Sequence, residues 1–262
     1  MKNSGVKITI ITVCRNSEKF LAETIESVVN QTYQNIEYIV IDGASTDSTL
    51  DIIRKYSSGI YSWLSEVDDS MYVAINKGLQ LSTGDYILIL NSDDILANYN
   101  TIENAVKLID NHRPDYFCGN LVKLKDGKNK KVKLFPVTFK QLLLSTHATF
   151  AAHPCFFISK KLNEQLSGYS LKYKYASDYD YILRALSTNG NKGKYINIDI
   201  AKFRIHEDSI TAGGKIDEER KKILDTYGYY QYSYFSRLFY YYKLWIYYKI
   251  INLPNRYKDA QV

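Results

Sequence analysis

Residues 86–96 read YILILNSDDIL, a strand-like run that ends in two adjacent carboxylates. The apolar part is typical of a strand that is buried on both faces, as in a parallel sheet. Asp93 and Asp94 follow it directly, after Asn91 and Ser92. Because an unpaired charge is costly to bury, either the strand ends at solvent here or the carboxylates hold something positive. The segments before this stretch decide between the two interpretations.

Strand-like and helix-like segments alternate along the first part of the chain. Short apolar, β-branched runs are each followed by a segment in which apolar residues recur at helical spacing. Such alternation is typical of βαβ units and predicts an α/β fold with a doubly wound, mostly parallel sheet flanked by helices. The predicted strands are 6–14, 36–43, 60–66 and 85–91, and the predicted helices are 17–31, 45–57 and 71–84.

Polar and acidic residues follow each of these predicted strands. Sheets of this kind bind ligands in the crevice beyond the carboxyl ends of their strands. Ordinary loops would have mixed character, so repeated polar and acidic loop starts on one edge predict a ligand site. The residues concerned are Thr12, Arg15 and Asn16, then Asp42, Gly43, Ser45 and Asp47, then Glu66, Asp68 and Asp69, and finally Asn91, Asp93 and Asp94.

The second part of the chain is less regular. A hairpin is predicted around the Asp126-Gly127 turn, and we expect its lysine run to be solvated, with phosphate or lipid contact as the alternative. A helix over 177–190 and a strand over 194–206 follow two shorter predicted helices. No repeat or linker is recognisable in this part.

Composition sets limits on the class of protein. The 262 residues carry a net charge of +6, which fits nucleic acid, an anionic membrane or phosphorylated ligands without choosing among them. Cys14, Cys118 and Cys155 lie far apart without metal-binding spacing, so buried free thiols are predicted rather than disulfides. No apolar run has the length of a transmembrane helix, and the N-terminal segment does not resemble a signal peptide. We therefore expect a cytoplasmic protein.

The carboxylates suggest specific chemistry. Asp42 could accept a hydrogen bond from the ring N–H of uracil or guanine, while Ser45 and Asp47 could bind nucleotide or cap the next helix. Asp93 and Asp94 could hold Mg²⁺ or Mn²⁺, which prefer oxygen ligands and complete their shells with substrate phosphates. Such an ion neutralises the charge that develops on a departing diphosphate.

Three segments, residues 8–49, 65–94 and 176–186, together resemble the inverting family 2 glycosyltransferases with the GT-A fold. The resemblance covers roughly residues 6–210 and is strongest to bacterial enzymes that build colanic-acid-like and other surface polysaccharides. It implies metal-dependent, inverting transfer from a nucleotide-diphospho-sugar, UDP by family habit, to a hydroxyl of a glycan or lipid-linked saccharide. The implied cofactor is Mn²⁺ or Mg²⁺. The domain boundaries expected are 1–212 for the transferase, with a nucleotide-binding half (1–98) and an acceptor half (99–212), and 213–262 for a helical, aromatic-rich extension.

The resemblance also implies residue roles. Asp178 would be the general base, with Asp180 as a competitor, and His153 would order the acceptor loop. Asn91 stands where Asp is also frequent, and Ser70 and Val73 depart from the usual residues. The implied nucleotide-binding residues are Thr12, Arg15, Asn16, Asp42, Ser45, Asp68 (toward the ribose), Lys77, Asn91 and Ser92, and the implied metal ligands are Asp93, Asp94 and His206. His206, with Arg204, could contact either the diphosphate or the metal, and a purely structural role is the alternative for His206.

The C-terminal tail has an unusual composition. Residues 227–257 contain eleven tyrosines and no Asp or Glu, interleaved with aliphatic and basic residues such as Lys243 and Lys249. A basic, aromatic helix can lie in the membrane–water interface without spanning it. We expect association with the inner face of the cell membrane through this tail, which would suit a lipid-linked acceptor. Packing in a homodimer or on the enzyme's own surface is the alternative, and no nucleic-acid-binding motif accompanies the aromatics.

Two other functions compete with a glycosyltransferase. A nucleotidyltransferase would want a glycine-rich, phosphate-binding loop after the first strand, and TVCRNSEKF at 12–20 has no glycine. A non-catalytic nucleotide-sugar-binding or assembly subunit would not need Asp42, Asp93 and Asp178 together. The retained set favours an enzyme.

Overall fold

The computed structural model describes residues 5–134, 137–145, 152–188, 190, 192–206 and 215–252. The strands are β1 (Ile8–Cys14), β2 (Ile36–Asp42), β3 (Ser62–Ser65), β4 (Tyr86–Ile89), β5 (Ile95–Leu96), β6 (Tyr116–Lys125), β7 (Lys128–Val132), β8 (Phe156–Ser159) and β9 (Gly193–Arg204). The helices are α1 (Leu21–Val29), α2 (Thr49–Lys55), α3 (Met71–Leu81), α4 (Thr101–Ile109), α5 (Phe139–Ser145), α6 (Lys160–Leu166), α7 (Ser177–Ser187), α8 (Lys215–Thr226) and α9 (Tyr234–Ile251).

The first four strands form the parallel part of one sheet, in the order β3-β2-β1-β4. Their register pairs Cys14 with Asp42 and Asp42 with Ser65, so the carboxyl ends of β1, β2 and β3 meet at one edge. The predicted α/β fold with a mostly parallel sheet flanked by helices is confirmed.

The second half of the sheet is mixed. Beyond β4 the order continues β8-β6-β9-β5, with β7 paired to β6. β5 follows the acidic loop after β4 at once, and it pairs antiparallel with β9, with Ile95 opposite Lys202. The loop after β4 therefore lies beside the carboxyl end of β9.

Apolar side chains form a core on each face of the sheet. In β1, Ile8 and Ile10 point into one core, and Ile11 and Val13 point into the other, as strand alternation requires. α1, α2 and α4 pack on the first face, whereas α3 and α5 to α9 pack on the second. Each aliphatic side chain buried in this way contributes roughly 1.5–3 kcal/mol.

Two glycines have positions that a larger residue would strain. At Gly78, a Cβ would lie 2.6 Å from Ile11 Cγ2, so its absence lets α3 approach β1 closely. At the β6–β7 hairpin, Asp126 (φ 50°) and Gly127 (φ 72°) are both left-handed, the conformation of a type I′ turn. The hairpin predicted at this dipeptide is confirmed.

The C-terminal extension is helical where it is described. α9 buries Leu244 in the second core, and the Asn252 side chain bonds to the backbone N–H and C=O of Lys133 at 2.7 and 3.1 Å. Within the described ranges, no helix combines the length and the apolar character needed to cross a bilayer. All cysteines are free, and two of them, Cys14 and Cys155, are buried.

Candidate active site

The loop 91–94 after β4 is fixed by α1. The Thr24 hydroxyl contacts the carbonyl oxygens of Ser92 and Asp94 at 2.9 and 2.7 Å. The Ser92 and Ser17 hydroxyls lie 2.9 Å apart. Asp94 N–H donates to Asn91 O at 3.1 Å and closes a turn. The acidic loop is thus held in one conformation.

Asp93 and His206 form a pair at the carboxyl edge of the sheet. Asp93 Oδ2 and His206 Nε2 are 2.9 Å apart, and 28% and 19% of their side chains are exposed. The Phe20 ring lies against His206, with centroids 5.1 Å apart. A carboxylate and an imidazole therefore meet within reach of a bound ligand.

Arg204 ties the end of β9 to this loop. Its Nε donates to Asp93 O at 3.1 Å, and its Nη2 pairs with Glu23 Oε2 at 2.6 Å. The guanidinium carbon is 4.4 Å from the Phe20 ring centroid. Contact with a diphosphate is the predicted role of Arg204. To bind a phosphate, the guanidinium would have to release the Glu23 carboxylate.

Asp94 has a different environment from Asp93. Its side chain is fully buried and accepts hydrogen bonds from Arg204 N at 3.1 Å and Asn91 Nδ2 at 3.3 Å. Burial raises the pKa of Asp94 well above its ordinary range, and the Asp93 charge adds to the shift. The carboxyl of Asp94 joins the loop to β9 instead of facing the edge, and its role as a metal ligand stays a prediction.

The donor set at this edge fits a hard divalent cation that is completed by substrate. Among the residues described, no group of three or more His, Cys, Asp or Glu side chains could hold a metal ion. Asp93 and His206 would therefore supply two ligands. Mg²⁺ sites commonly have few protein ligands and draw the others from water and phosphates, so the residues present fit such an ion.

Asp42 lies fully buried at the end of β2. Its Oδ2 accepts from Ser45 N at 3.0 Å and from the Ser65 hydroxyl at 2.6 Å, and its Oδ1 accepts from the Ser45 hydroxyl. A nucleobase that reached this carboxylate would have to displace one of these donors. The structure places Asp42 and Ser45 together but does not open Asp42 to solvent.

The remaining predicted residues of the first two loops differ in exposure. Arg15 is exposed and lies over Gly43, and Asn16 Oδ1 accepts from Thr46 N at 2.9 Å. Thr12 is fully buried and bonds to the Tyr38 hydroxyl at 3.1 Å. The Thr12 side chain thus points into the core, and its place in the nucleotide pocket stays a prediction.

Asp47 serves the start of α2. Its Oδ1 accepts from Thr49 N at 3.0 Å, and its Oδ2 accepts from Glu18 N at 3.2 Å. Of the two alternatives for this residue, the capping role has direct structural support.

Asp68 and Lys77, two of the predicted nucleotide-binding residues, form an ion pair. Lys77 Nζ lies 2.5 Å from Asp68 Oδ1 and also pairs with Glu66. These two carboxylates raise the pKa of Lys77. Only 5% of the Asp68 side chain is exposed, so a ligand at this position would contact the Asp68–Lys77 ion pair rather than an unpaired Asp68 carboxylate.

Asp178 lies in the first turn of α7, and its partners are polar. Its Oδ1 accepts from Tyr179 N at 2.8 Å and lies 3.4 Å from the Tyr72 hydroxyl. Asp180, by contrast, is buried, with Arg184 Nε at 2.8 Å from Oδ2 and the Tyr227 hydroxyl at 2.9 Å from Oδ1. Asp180 is thus occupied by structural contacts, and the geometry favours Asp178 as the base.

His153 belongs to an aromatic group next to Asp178. Its Nε2 is 2.6 Å from the Tyr169 hydroxyl, and the Tyr169 ring stacks on Tyr72 and Tyr181 with centroids 5.8 and 4.0 Å apart. Burial lowers the pKa of His153, and the Asp178 charge opposes that shift. A neutral His153 that bonds to Tyr169 fits the expected ordering role.

Several residues of the site carried no recognisable signal in the sequence. Thr24, Glu23 and Phe20 lie in a segment that reads only as an amphipathic helix, yet they contact the acidic loop or its partner Arg204. Tyr72 reads as an apolar residue of α3, yet its hydroxyl reaches Asp178. Only the three-dimensional contacts identify these residues.

The sequence of this chain is similar to those of known glycosyltransferases. The family model described as "Glycosyl transferase family 2" matches residues 9–167. A PGL/p-HBAD biosynthesis glycosyltransferase of Mycobacterium bovis (strain BCG / Pasteur 1173P2) is 26% identical over 199 residues, covering 74% of this chain and 75% of that protein. The putative glycosyltransferase EpsE of Bacillus subtilis (strain 168) is 29% identical over 214 residues, covering 79% and 75%.

Solved structures show the same fold. S. aureus TarS 1-349 in complex with UDP-GlcNAc has a TM-score of 0.68 at 20% identity, covering 83% of this chain and 65% of that chain. The mannosyltransferase PcManGT from Pyrobaculum calidifontis, in complex with GDP-Man and Mn²⁺, has a TM-score of 0.61 at 18% identity, covering 80% and 60%. This chain thus spans somewhat less than two thirds of either solved chain.

The fold is that of the GT-A class of glycosyltransferases. Within that class, the chain belongs to glycosyl transferase family 2, because the family model covers more than half of it.

Proposed function

We propose that this enzyme is a metal-dependent, inverting glycosyltransferase. It moves a sugar from a nucleotide-diphospho-sugar, with UDP as the nucleotide, to a hydroxyl of a glycan or lipid-linked saccharide in polysaccharide biosynthesis. The observation that carries the proposal is the partly exposed Asp93–His206 pair, 2.9 Å apart, at the edge where parallel sheets bind ligands. The TarS complex with UDP-GlcNAc and the names of the curated relatives support the choice of donor and pathway.

Asp93 and His206 would hold Mn²⁺ or Mg²⁺ together with the donor diphosphate. When bound, the ion neutralises charge on the departing nucleotide diphosphate. Asp94 and Thr24 hold the backbone of this loop, so the Asp93 carboxylate stays aimed at the edge.

Asp178 would take the proton of the acceptor hydroxyl. In a single displacement, the acceptor oxygen bonds to the anomeric carbon while the bond to the diphosphate breaks, and the proton passes to the carboxylate. Within the described residues, the hydrogen bonds to Asp178 end on Oδ1, which leaves Oδ2 for the acceptor.

Asp42, Ser45, Asn16 and Arg15 would bind the nucleoside, with the Asp68–Lys77 pair near the ribose. Ser45 links two of these groups, because its hydroxyl donates to Asp42 and accepts from Asn16 N at 2.8 Å. Base contact would proceed by exchange of a serine donor of Asp42 for the ring N–H of the base.

We also propose that the enzyme works at the inner face of the cell membrane through α9. Five side chains at helical spacing form an exposed stripe: Phe235, Phe239, Tyr242, Ile246 and Ile250, each at least half exposed. Lys243 and Lys249 lie beside this stripe, and residues 227–257 contain no carboxylate. An anionic lipid surface complements these charges, whereas a second copy of α9 would bring lysine against lysine.

Thermal unfolding with UDP, GDP or dTDP, each with and without Mn²⁺, tests the core of this proposal. A nucleotide that binds only the folded chain at about 100 times its Kd stabilises it by about 2.7 kcal/mol. We expect a Mn²⁺-dependent increase in Tm with UDP and a smaller one with the other nucleotides. No increase with any nucleotide would contradict the metal–diphosphate site.

A further inference from the structure

The helix that carries Asp178 begins without a cap of its own. The N-cap residue of α7 is Ala176, which has no side chain able to accept a hydrogen bond. The first N–H groups of a helix lack intrahelical acceptors and need partners from elsewhere. The three backbone N–H groups just before the helix, those of residues 174–176, also need an acceptor from another part of the chain.

Glu219 of α8 supplies that acceptor. Its Oε1 accepts from Lys174 N at 2.8 Å, and its Oε2 accepts from Tyr175 N at 2.7 Å and from Ala176 N at 3.0 Å. One carboxylate thus satisfies three consecutive backbone donors immediately before the helix. Hydrogen bonds to an ionised acceptor are roughly twice as strong as neutral ones.

Two more contacts join α8 and the residue that follows it to the first turn of α7. The Arg220 guanidinium lies 5.1 Å from the Tyr179 ring centroid, and the Tyr227 hydroxyl donates to Asp180 Oδ1 at 2.9 Å. Ile223, one turn beyond Glu219, is fully buried in the core. α8 is thereby anchored in the protein, and together with Tyr227, the residue after it, contacts the chain on either side of Asp178.

We propose that Glu219 is a positioning residue, which fixes the start of α7 and so aims the Asp178 carboxylate at the acceptor hydroxyl. This inference rests on the proposed role of Asp178 as the base. The residues matched by the family model end at 167, so Glu219 lies outside them. A displacement of a reacting group by about 1 Å can cost on the order of a hundredfold in rate, so loss of three hydrogen bonds next to the base should reduce turnover.

The test compares Glu219→Ala and Glu219→Gln with Glu218→Ala in the full chain. Glu218 is the exposed neighbour on the same helix and serves as the matched control. Three quantities are measured: amide hydrogen exchange over residues 174–178, Tm with UDP and Mn²⁺, and UDP release from UDP-GlcNAc, UDP-glucose and UDP-galactose. The last assay gives kcat and KM for the donor that the wild-type chain uses fastest.

We expect Glu219→Ala to speed exchange over 174–178 and to lower kcat about 10- to 100-fold, with donor KM and the UDP-dependent Tm increase unchanged. Glu219→Gln keeps one carbonyl acceptor and should recover part of kcat. A merely structural contact would instead lower Tm and leave kcat unchanged.

Equal kcat in Glu219→Ala and Glu218→Ala, or unaltered exchange over 174–178, would overturn the positioning role. A wild-type chain that releases UDP from none of the sugars would contradict the proposed function. The exchange data would then test the contact by itself: protection that survives Glu219→Ala overturns the role of Glu219, and protection lost only in this variant shows that Glu219 fixes the start of α7 although the function assigned to Asp178 is wrong.

Discussion

His206 Nε2 lies 2.9 Å from Asp93 Oδ2, although 113 positions separate the two residues in the sequence. The pairing of β5 with β9 brings them together, because the acidic loop leads straight into β5 and His206 follows the end of β9. The contact places a carboxylate and an imidazole at the sheet edge where the diphosphate of the donor is proposed to bind.

Asp93→Asn should abolish the part of nucleotide binding that depends on metal. The amide cannot replace the anionic ligand, so the Mn²⁺-dependent stabilisation by UDP, about 2.7 kcal/mol at 100 times Kd, should disappear. Thermal unfolding with UDP, with and without Mn²⁺, measures this quantity. Asp51→Asn, an exposed carboxylate on α2, is the control and should behave as wild type. Retention of the full Mn²⁺-dependent Tm increase in Asp93→Asn would refute the assignment.

Asp178→Asn should reduce turnover without weakening donor binding. General base catalysis typically contributes 10²- to 10⁴-fold, so we expect kcat to fall by about that factor while the UDP-dependent Tm increase stays the same. UDP release in the presence of acceptor measures kcat. Full activity of this variant would contradict the base role.

Asp180 provides the matched comparison on the same helix. Asp180→Ala removes the partner of Arg184 and of the Tyr227 hydroxyl, so we expect it to lower the free energy of unfolding by about 1–3 kcal/mol. Urea unfolding measures this loss. A variant as stable as wild type but inactive would instead make Asp180 the base.

Glu37 should make stability depend on pH in the acid range. It is fully buried, and although burial alone would raise its pKa, hydrogen bonds from Lys7, Thr83 and Thr9 lower the pKa from 4.5 to about 2. A carboxylate with a lowered folded pKa stabilises the fold above its unfolded value, and this stabilisation is lost as pH falls from about 4.5 to about 2. The expected loss is on the order of 2–3 kcal/mol.

Urea unfolding of wild type and Glu37→Gln between pH 6 and pH 2 checks this prediction. The wild type should be the more stable at pH 6, and the difference should shrink across the window from pH 4.5 downward. Glu218→Gln should remain parallel to wild type over the whole range. A constant difference between wild type and Glu37→Gln would show that the ionisation of Glu37 is not the cause.

Strand alternation explains why the polar edge of the sheet could be predicted from the sequence. The polar ends of the parallel strands follow apolar runs that stop at the same edge, so their next residues must lie there. Alternation also accounts for the Thr12 side chain, because Thr12 shares a face of β1 with Ile8 and Ile10, which point into the core. The place of Thr12 in the nucleotide pocket stays a prediction.

The difference between Asp93 and Asp94 could not be predicted in this way. The two carboxylates are adjacent in an irregular turn, and which one faces inward depends on the backbone N–H of Arg204, 110 positions away. Glu219 shows the same limit, since the backbone N–H groups that donate to it lie 43 to 45 positions before it in a segment with no characteristic pattern. Contacts between distant segments decide these roles, and they cannot be predicted from the local sequence.

The exposed stripe of α9 should bind anionic membranes. A double variant, Phe239→Ser with Ile246→Ser, removes two of the exposed apolar side chains, each worth roughly 1.5–3 kcal/mol when fully buried. We expect wild type to co-sediment with phosphatidylcholine vesicles that contain phosphatidylglycerol, and to co-sediment less with vesicles of phosphatidylcholine alone. The double variant should bind the anionic vesicles with an affinity that is lower by roughly tenfold or more. Leu171→Ser is the control, because Leu171 is equally apolar and 62% exposed but lies outside α9. Equal binding of wild type and the double variant would contradict the membrane role of the stripe. A wild-type dimer that does not bind vesicles, and that the double variant dissociates, would assign the stripe to self-association instead.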